Sequence, residues 1–394
     1  MPSLCLRCKG GKFLCGRNYC PLNVVRFAEK SVKRILKNQV YSPTPPSVFV
    51  GRIGYPYVYA GPLVSLLENQ NLEILDNPSQ WYGKDYKEII NFRAYLLRIK
   101  KTINVKQPEK FHENIKELVL SEKPVYVEAY FKKLVPKISF SSFLQPMGPS
   151  GEIKKLIIAS TPKIPQKTEK IISDDIKASE QVYMLYKSGE DVYSITRLFS
   201  TGILGKQKKL VPTRWSITAV DDIIAKKLLQ KIRGYSLINE YLVWNNEHLG
   251  NHFEILFIPK PWSFELFEAW SPGSVWAGKE LKITVEREIW RDRTCYAIEQ
   301  GGGYYAARLA ICEQLEKMRK QACVVVFREI YESYVLPVGV WEVRETIRRA
   351  FEQKPEKFSD LKQALATIEK RLKVPLKYYL KLSMVLTQKT LNNF

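Results

Sequence analysis

After Pro21 the apolar residues Val24, Phe27, Ala28, Val32, Ile35 and Leu36 recur at helical spacing, interleaved with Arg26, Lys30, Lys33, Arg34 and Lys37. The pattern predicts an amphipathic helix with one apolar and one basic face. Residues 41–47, Tyr-Ser-Pro-Thr-Pro-Pro-Ser, read as a Pro-rich linker that cannot be helical throughout. Gly, Pro and Tyr punctuate 48–63, which predicts a strand and a fixed loop. A helix is expected over 84–100 and a strand over 125–135. Pro146, Gly148, Pro149, Gly151, Pro162 and Pro165 mark 145–168 as loop, and helices are expected at 166–187, 190–200 and 216–233.

Strand patterns dominate next, at 241–244, 252–259, 263–270 and 282–288. Gly301–Gly303 precede a helix predicted over 304–322, followed by a buried strand at 323–330. The chain ends on helices at 341–353, 359–372 (Ser359 as N-cap) and 376–386. Strands and helices mix without a regular repeat, so the fold class is an α+β (mixed α/β) body with an N-terminal four-cysteine zinc module. Four regions are expected: 1–40, zinc module and basic helix; 41–150 and 151–386, two parts of the body; and 387–394, a flexible tail.

Composition agrees with a folded chain of ordinary core content, at 45% hydrophobic and 26% charged residues over 394 positions. Its charge is less ordinary. There are 62 Lys and Arg against 40 Asp and Glu, a net +22. Residues 1–40 hold nine Lys or Arg and a single acid. Such an excess points to a polyanion, and Lys30, Lys33, Arg34 and Lys37 are the candidate DNA contacts. No apolar run reaches the roughly 18 residues of a spanning helix, and no signal peptide is read, so a cytoplasmic, nucleoid-associated location and no membrane partner are expected.

Four of the seven cysteines fall in the first twenty residues, as Cys5-x2-Cys8 and Cys15-x4-Cys20 with six residues between the pairs. Four thiolates suit a tetrahedral zinc ion, and short spacers let both members of a pair reach one ion. Four protein ligands leave no open position, so the expected zinc is structural. An iron–sulfur cluster is the competing reading. The chain ends Gln388-Lys-Thr-Leu391-Asn-Asn-Phe394. In a single 3₁₀ turn residues three apart stack on one side. Leu391 and Phe394 then form one apolar plug while Gln388 hydrogen-bonds at a pocket rim, the pattern of a sliding-clamp-binding peptide.

Chemistry in the body is less defined. Gly51-Arg-Ile-Gly-Tyr-Pro56 puts Arg52 in a flexible loop suited to gripping phosphate, or in a turn where it pairs with an acid. The segment 213–222 contributes Arg214 and Asp222. Asp175 lies on another expected helix, and acids from the two could converge on Mg²⁺ as a nuclease requires, though acids on solvated helix faces read the same way. Arg52, Asp175, Arg214 and Asp222 are the candidate catalytic set, and whether the chain is an enzyme stays open. His112, His248 and His252 are read as structural. P-loop, dinucleotide and nucleophile-elbow motifs are absent from the sequence.

Several long segments carry a family resemblance. They are Cys5-Leu-Arg-Cys-Lys-Gly-Gly, Ser47-Val-Phe-Val-Gly-Arg-Ile-Gly-Tyr-Pro56, Pro146-Met-Gly-Pro-Ser150 and Leu210-Val-Pro-Thr-Arg-Trp-Ser-Ile-Thr-Ala-Val-Asp-Asp222. Asn239-Glu-Tyr-Leu242, Pro272-Gly-Ser-Val-Trp276, Gly302-Gly-Tyr-Tyr-Ala-Ala-Arg308 and Pro337-Val-Gly-Val-Trp341 follow. In these the chain resembles the archaeal Nre proteins over essentially its whole length. The resemblance implies a DNA repair role and, with this tail, binding to the sliding clamp PCNA. It implies no reaction. A metal-dependent nuclease or nucleotide-processing hydrolase, and an RNA-binding or tRNA-processing protein, are the alternatives carried forward.

Overall fold

The computed structural model describes residues 12–14, 20–68, 72–107, 109–141, 144–272, 274, 280–289, 291–334 and 336–387. Cys5, Cys8, Cys15 and the tail Gln388–Phe394 lie outside them. The chain divides into two units, one ending at Ile223 and the other beginning at Ile224.

In the first unit, helix α1 (Pro21–Ile35) opens with Pro at its first turn, where the missing N–H is harmless. It buries Val25, Ala28 and Val32. Phe27, expected on the apolar face, is 71% exposed, because the buried stripe runs at 25, 28 and 32 and position 27 turns away from it. The Pro-rich stretch proves to be a strand, β1 (Gln39–Thr44). It is an edge strand, which tolerates Pro43 because no ladder N–H is needed on its open side. Strands β2 (Val48–Val50) and β3 (Tyr57–Ser65) form a hairpin around 51–56. Helix α2 (Tyr86–Ala94) starts on a capping box, Asp85 accepting from the Glu88 N–H and Glu88 from that of Asp85. The segment expected as helix to residue 100 then becomes β4 (Leu96–Asn104).

Helix α3 (Lys110–Leu120), for which no element is expected above, buries Phe111, Ile115, Leu118 and Val119. Strand β5 (Val125–Val135) falls where alternation placed it. The hairpin β6 (Ser139–Ser141) and β7 (Leu144–Met147) leads to β8 (Ser150–Ile158), inside the segment read as loop. Gly151 belongs there for packing, since a Cβ on it would lie 2.4 Å from the Phe131 ring. The six main strands run β1-β5-β8-β4-β3-β2. The Ser42 hydroxyl donates to the Ser65 carbonyl, so edge strand β1 reaches back toward β3. Helices α4 (Gln166–Ser173) and α5 (Ala178–Lys187) replace the single helix expected at 166–187. Asp191 caps α6 (Val192–Ser200). Helix α7 (Thr213–Ile232) begins in this unit and ends in the next.

The second unit is a six-stranded sheet between helices. Its strands are β9 (Tyr241–His248), β10 (Asn251–Ile258), β11 (Ser263–Trp270) and β12 (Lys282–Glu288). Helix α8 (Gly302–Met318) crosses to β13 (Cys323–Ile330), which is parallel to β11. Helix α9 (Trp341–Ala350), the short β14 (Glu356–Phe358), and helices α10 (Leu361–Arg371) and α11 (Leu376–Leu380) complete it. Asp360, rather than Ser359, caps α10. The strand order is β12-β11-β13-β10-β9-β14. Both faces of β10 and β13 are buried, as an apolar run predicts. On one face Leu256, Phe267, Val325 and Phe327 pack with Ile368, Leu376 and Tyr379 of α10 and α11. Among the described residues no helix is long and apolar enough to cross a membrane.

Candidate nucleic-acid interface

Two of the motifs singled out in the sequence meet in the first unit. The β2–β3 hairpin closes through the Gly51 N–H to the Tyr59 carbonyl (2.7 Å) and the Tyr57 N–H to the Gly54 carbonyl (2.8 Å). Gly54 sits at φ +84°, and an added Cβ would lie 2.7 Å from the Tyr57 carbonyl oxygen, so the turn needs glycine there. The hairpin is tied to the start of α7 by the Val50 N–H, which donates to the Thr213 hydroxyl at 2.9 Å. At the tip the Tyr55 ring meets the Trp215 ring with centroids 5.5 Å apart. Arg52 and Arg214 therefore belong to one surface, and both are exposed. Among the described residues neither has a carboxylate within ion-pair distance.

Along β3 the side chains alternate. Val58 and Ala60 point inward, while Tyr57 and Tyr59 stand 60% and 53% exposed. Lys100 of β4 lies over the Tyr59 ring, 5.7 Å from its centroid. Burial, with the charge of Arg98 added, holds the Lys100 ammonium below its ordinary pKa. Arg98 itself is buried, donating to the Gly148 carbonyl and the Ser139 hydroxyl; burial and then Arg93 pull it down to about 10. Helix α1 offers a second basic surface. Lys30, Lys33 and Arg34 are exposed on it, and Lys37 follows just beyond its end.

The acids of the candidate catalytic set are placed differently. Asp175 lies in the break between α4 and α5, exposed and 3.0 Å from the Lys206 ammonium. Asp222 is half-buried on α7, with Asp221 beside it in the core. Among the described residues no three His, Cys, Asp or Glu side chains are grouped to hold a metal. A cavity of about 370 Å³ in the same unit is walled by Glu73, Asp76, Glu122, Glu190 and Asp191 against Arg197, a lining hostile to a polyanion. His112 is buried, its Nε2 2.8 Å from the Thr201 carbonyl, and burial keeps its ring below the ordinary imidazole range.

The second unit holds buried charges that no sequence pattern marks. Arg308 and Glu288 pair at 2.8 Å with both side chains fully buried, and the Trp262 indole donates to the same carboxylate. Arg328 lies 2.6 Å from Glu268 and 3.4 Å from Glu342, and it also donates to Asn251. Burial raises Glu268 and pushes Glu342 up to about 7, Arg328 opposing both shifts. On the opposite face Glu329 accepts from the Lys373 and Val374 N–H groups and the Tyr379 hydroxyl. Glu265 accepts from the Ser383 hydroxyl and the Met384 N–H. These carboxylates bind down the chain as far as the last described turn. A Glu inside a run such as Ser263-Phe-Glu-Leu-Phe-Glu-Ala-Trp270 is the only sequence sign of them.

The comparisons with known proteins cover both units. A model described as archaeal Nre, N-terminal, matches residues 14–277, and one described as archaeal Nre, C-terminal, matches 288–394. A protein of Archaeoglobus fulgidus called DNA repair protein NreA is 43% identical over 374 residues, covering 93% of each chain. DNA repair protein NreB of the same organism is 37% identical over 370 residues, covering 93% of this chain and 92% of its own. DNA repair protein NreA of Haloferax volcanii is 34% identical over 343 residues, covering 83% and 81%. No solved structure matches the chain. Matched from residue 14 to its last residue but for a short gap, the chain belongs to the archaeal Nre family.

Proposed function

We propose that this chain is a DNA repair factor that binds DNA through the basic face of α1 and is brought to the sliding clamp PCNA by its last seven residues. The repair role rests on the relatives, all three of which are called DNA repair proteins. The observation that carries DNA binding is the disposition of α1. Val25, Ala28 and Val32 fasten one side to the body, which leaves Lys30, Lys33 and Arg34 exposed together. Exposed cations gain affinity for DNA by releasing condensed counterions, so binding should weaken steeply with salt. The module before α1 would hold a structural zinc ion on Cys5, Cys8, Cys15 and Cys20. Cys20, the one of the four among the described residues, is buried at the entrance to the helix. A zinc ion there would fix the start of α1 and so the direction of its basic face.

Three measurements test the parts separately. Elemental analysis should find about one zinc per chain; iron, or a folded protein without metal, would remove the zinc module. Reversing Lys30, Lys33 and Lys37 to Glu should weaken duplex binding for every sequence, and unchanged affinity would clear α1 of the role. Deleting Gln388–Phe394 should abolish clamp binding in calorimetry while DNA affinity survives. Glu265 and Ser383 tie the chain down just ahead of the peptide, so the deletion leaves the body's own contacts in place. Equal clamp affinity for full-length and truncated chains would sink the recruitment.

A further inference from the structure

Four large aromatic side chains are left in solvent on the β2–β3 hairpin and the first turn of α7, to which it is tied. Tyr55 is 48% exposed, Tyr57 60%, Tyr59 53% and Trp215 47%. The core does not require them. The inward positions of β3 are already filled by Val58 and Ala60, and the outward positions could carry any polar residue. Tyr55 and Trp215 brace each other, and the bond between Val50 and Thr213 fixes the hairpin to α7. The aromatic faces are therefore held in place before any ligand arrives. Ile53, 87% exposed, stands at the hairpin tip beside them.

The patch also has a definite electrostatic character. Arg52 on the hairpin and Arg214, next to Trp215 in the chain, are exposed with no ion-paired carboxylate among the described residues, and Lys100 stands over Tyr59. Exposed aromatic faces with cations on the same segments fit a ligand that alternates flat apolar surface with negative charge. A nucleic acid strand with its bases unstacked has that chemistry. A duplex shows only phosphates and groove edges and hides the faces of its bases.

We propose that Tyr55, Tyr57, Tyr59 and Trp215, with Arg52 and Arg214 on the same segments, form a stacking platform for the unpaired bases of single-stranded DNA. The platform shares with the proposed function only its ligand, DNA, and uses none of the α1 residues. Stacking accepts every base because each has a π face, so the site discriminates strandedness rather than sequence.

The test uses full-length protein and fluorescence anisotropy at one salt concentration. The probes are an oligothymidine of about 20 nucleotides, long enough to cover such a site, the matching duplex, and an oligouridine of the same length. The single DNA strand should bind at least tenfold tighter than the duplex. Tyr55→Ala with Trp215→Ala should lower single-strand affinity at least tenfold and leave duplex affinity within twofold, while Tyr55→Phe with Trp215→Phe restores it. Unchanged single-strand binding in the alanine variant, or equal loss on both DNA forms, would overturn the platform. Oligouridine bound as tightly as oligothymidine would overturn its assignment to DNA. A readout on the unmutated protein guards against a folding defect: a bromodeoxyuridine-substituted strand should photo-crosslink within 51–59 or 213–217, and adducts confined to other segments refute the site. Failure of the α1 reversals to affect duplex binding would remove that reading alone and leave the single-strand preference standing.

Discussion

Residues 1–223 hold 35 Lys and Arg against 20 Asp and Glu, while residues 224–394 hold 27 against 20. Most of the first unit's surplus lies at the surface, and pairs such as Lys101–Glu109 and Lys132–Glu152 are solvent-exposed, while Arg93, paired with Asp76, and Arg98 are buried. Pairs of that kind contribute about 0–1 kcal/mol each. The second unit has exposed pairs too, such as Lys357–Glu240, but it also takes charges inside. Arg308–Glu288 and Arg328–Glu268 are buried among strands that pack on both faces. A charge in solvent is available to a ligand and does little for the fold. A charge in the core is committed, and removing its partner leaves it stranded. The comparison separates positions where a charged residue serves binding from positions where it serves stability.

The largest effect is expected at Arg308. Its replacement by Ala leaves the Glu288 carboxylate buried with the Trp262 indole and the Arg233 guanidinium 4.0 Å away, but without its 2.8 Å partner. Breaking a buried pair by removing one member destabilises by about 3–5 kcal/mol. Denaturant unfolding should show that loss in the second unit, with DNA affinity of the folded protein unchanged. A cost under about 1 kcal/mol, the range of an exposed pair, would mean that this core tolerates charge as the surface does.

A smaller effect separates the two carboxylates on Arg328. One guanidinium lies between Glu268 and Glu342, so the pair of acids is not fully neutralised when both ionise. Burial raises Glu342 from 4.5 to about 7, with Arg328 opposing. The folded state therefore holds a proton that the unfolded chain releases earlier. The stability that goes with this proton is fully present below about 4.5 and is lost as pH rises through about 7. Glu342→Gln keeps an acceptor for the Thr346 hydroxyl and removes the titration. The variant should match the parent at acid pH and exceed it by about 1–3 kcal/mol above neutrality. Parallel stability–pH curves for the two proteins would refute the assignment.

How far the sequence reveals these sites follows from the same contrast. Arg52 and Arg214 stood out because Gly, aromatic and Arg residues cluster around them. Local composition could not say that the two segments touch, because Tyr55 and Trp215 are 160 positions apart in the chain. Strands β5, β11, β12 and β13 were legible from period-2 or continuous apolar patterning. Strand β1 was not, since its prolines read as linker until an edge position explains them. Strand β8 was masked by the Gly and Pro around it. The break between α4 and α5 left no local signal beyond Ser173-Asp-Asp175. The buried acids were hidden for a deeper reason. A Glu within an apolar strand is indistinguishable from a surface position until the strand is known to be covered on both faces.

The last prediction has the smallest effect on the fold and isolates binding in the first unit. Arg52 and Arg214 are exposed, and among the described residues they have no acidic partner, so Arg52→Ala with Arg214→Ala should move stability by no more than about 0.5 kcal/mol. Their contribution should appear in the salt dependence of single-strand affinity. Each phosphate neutralised on a single strand contributes about 0.7 to the slope of log affinity against log salt. The double variant should therefore bind more weakly at low salt and lose about 1.4 from the slope, converging on the parent as salt rises. Aromatic stacking is insensitive to salt, so Tyr55→Ala with Trp215→Ala should lower affinity by a similar factor at every salt concentration and leave the slope where it was. Two variants on the same hairpin and helix start would then differ in kind, one changing the slope and the other the intercept. If both change the slope alike, the aromatic residues act only by positioning the arginines, and the patch is a phosphate contact without a stacking component.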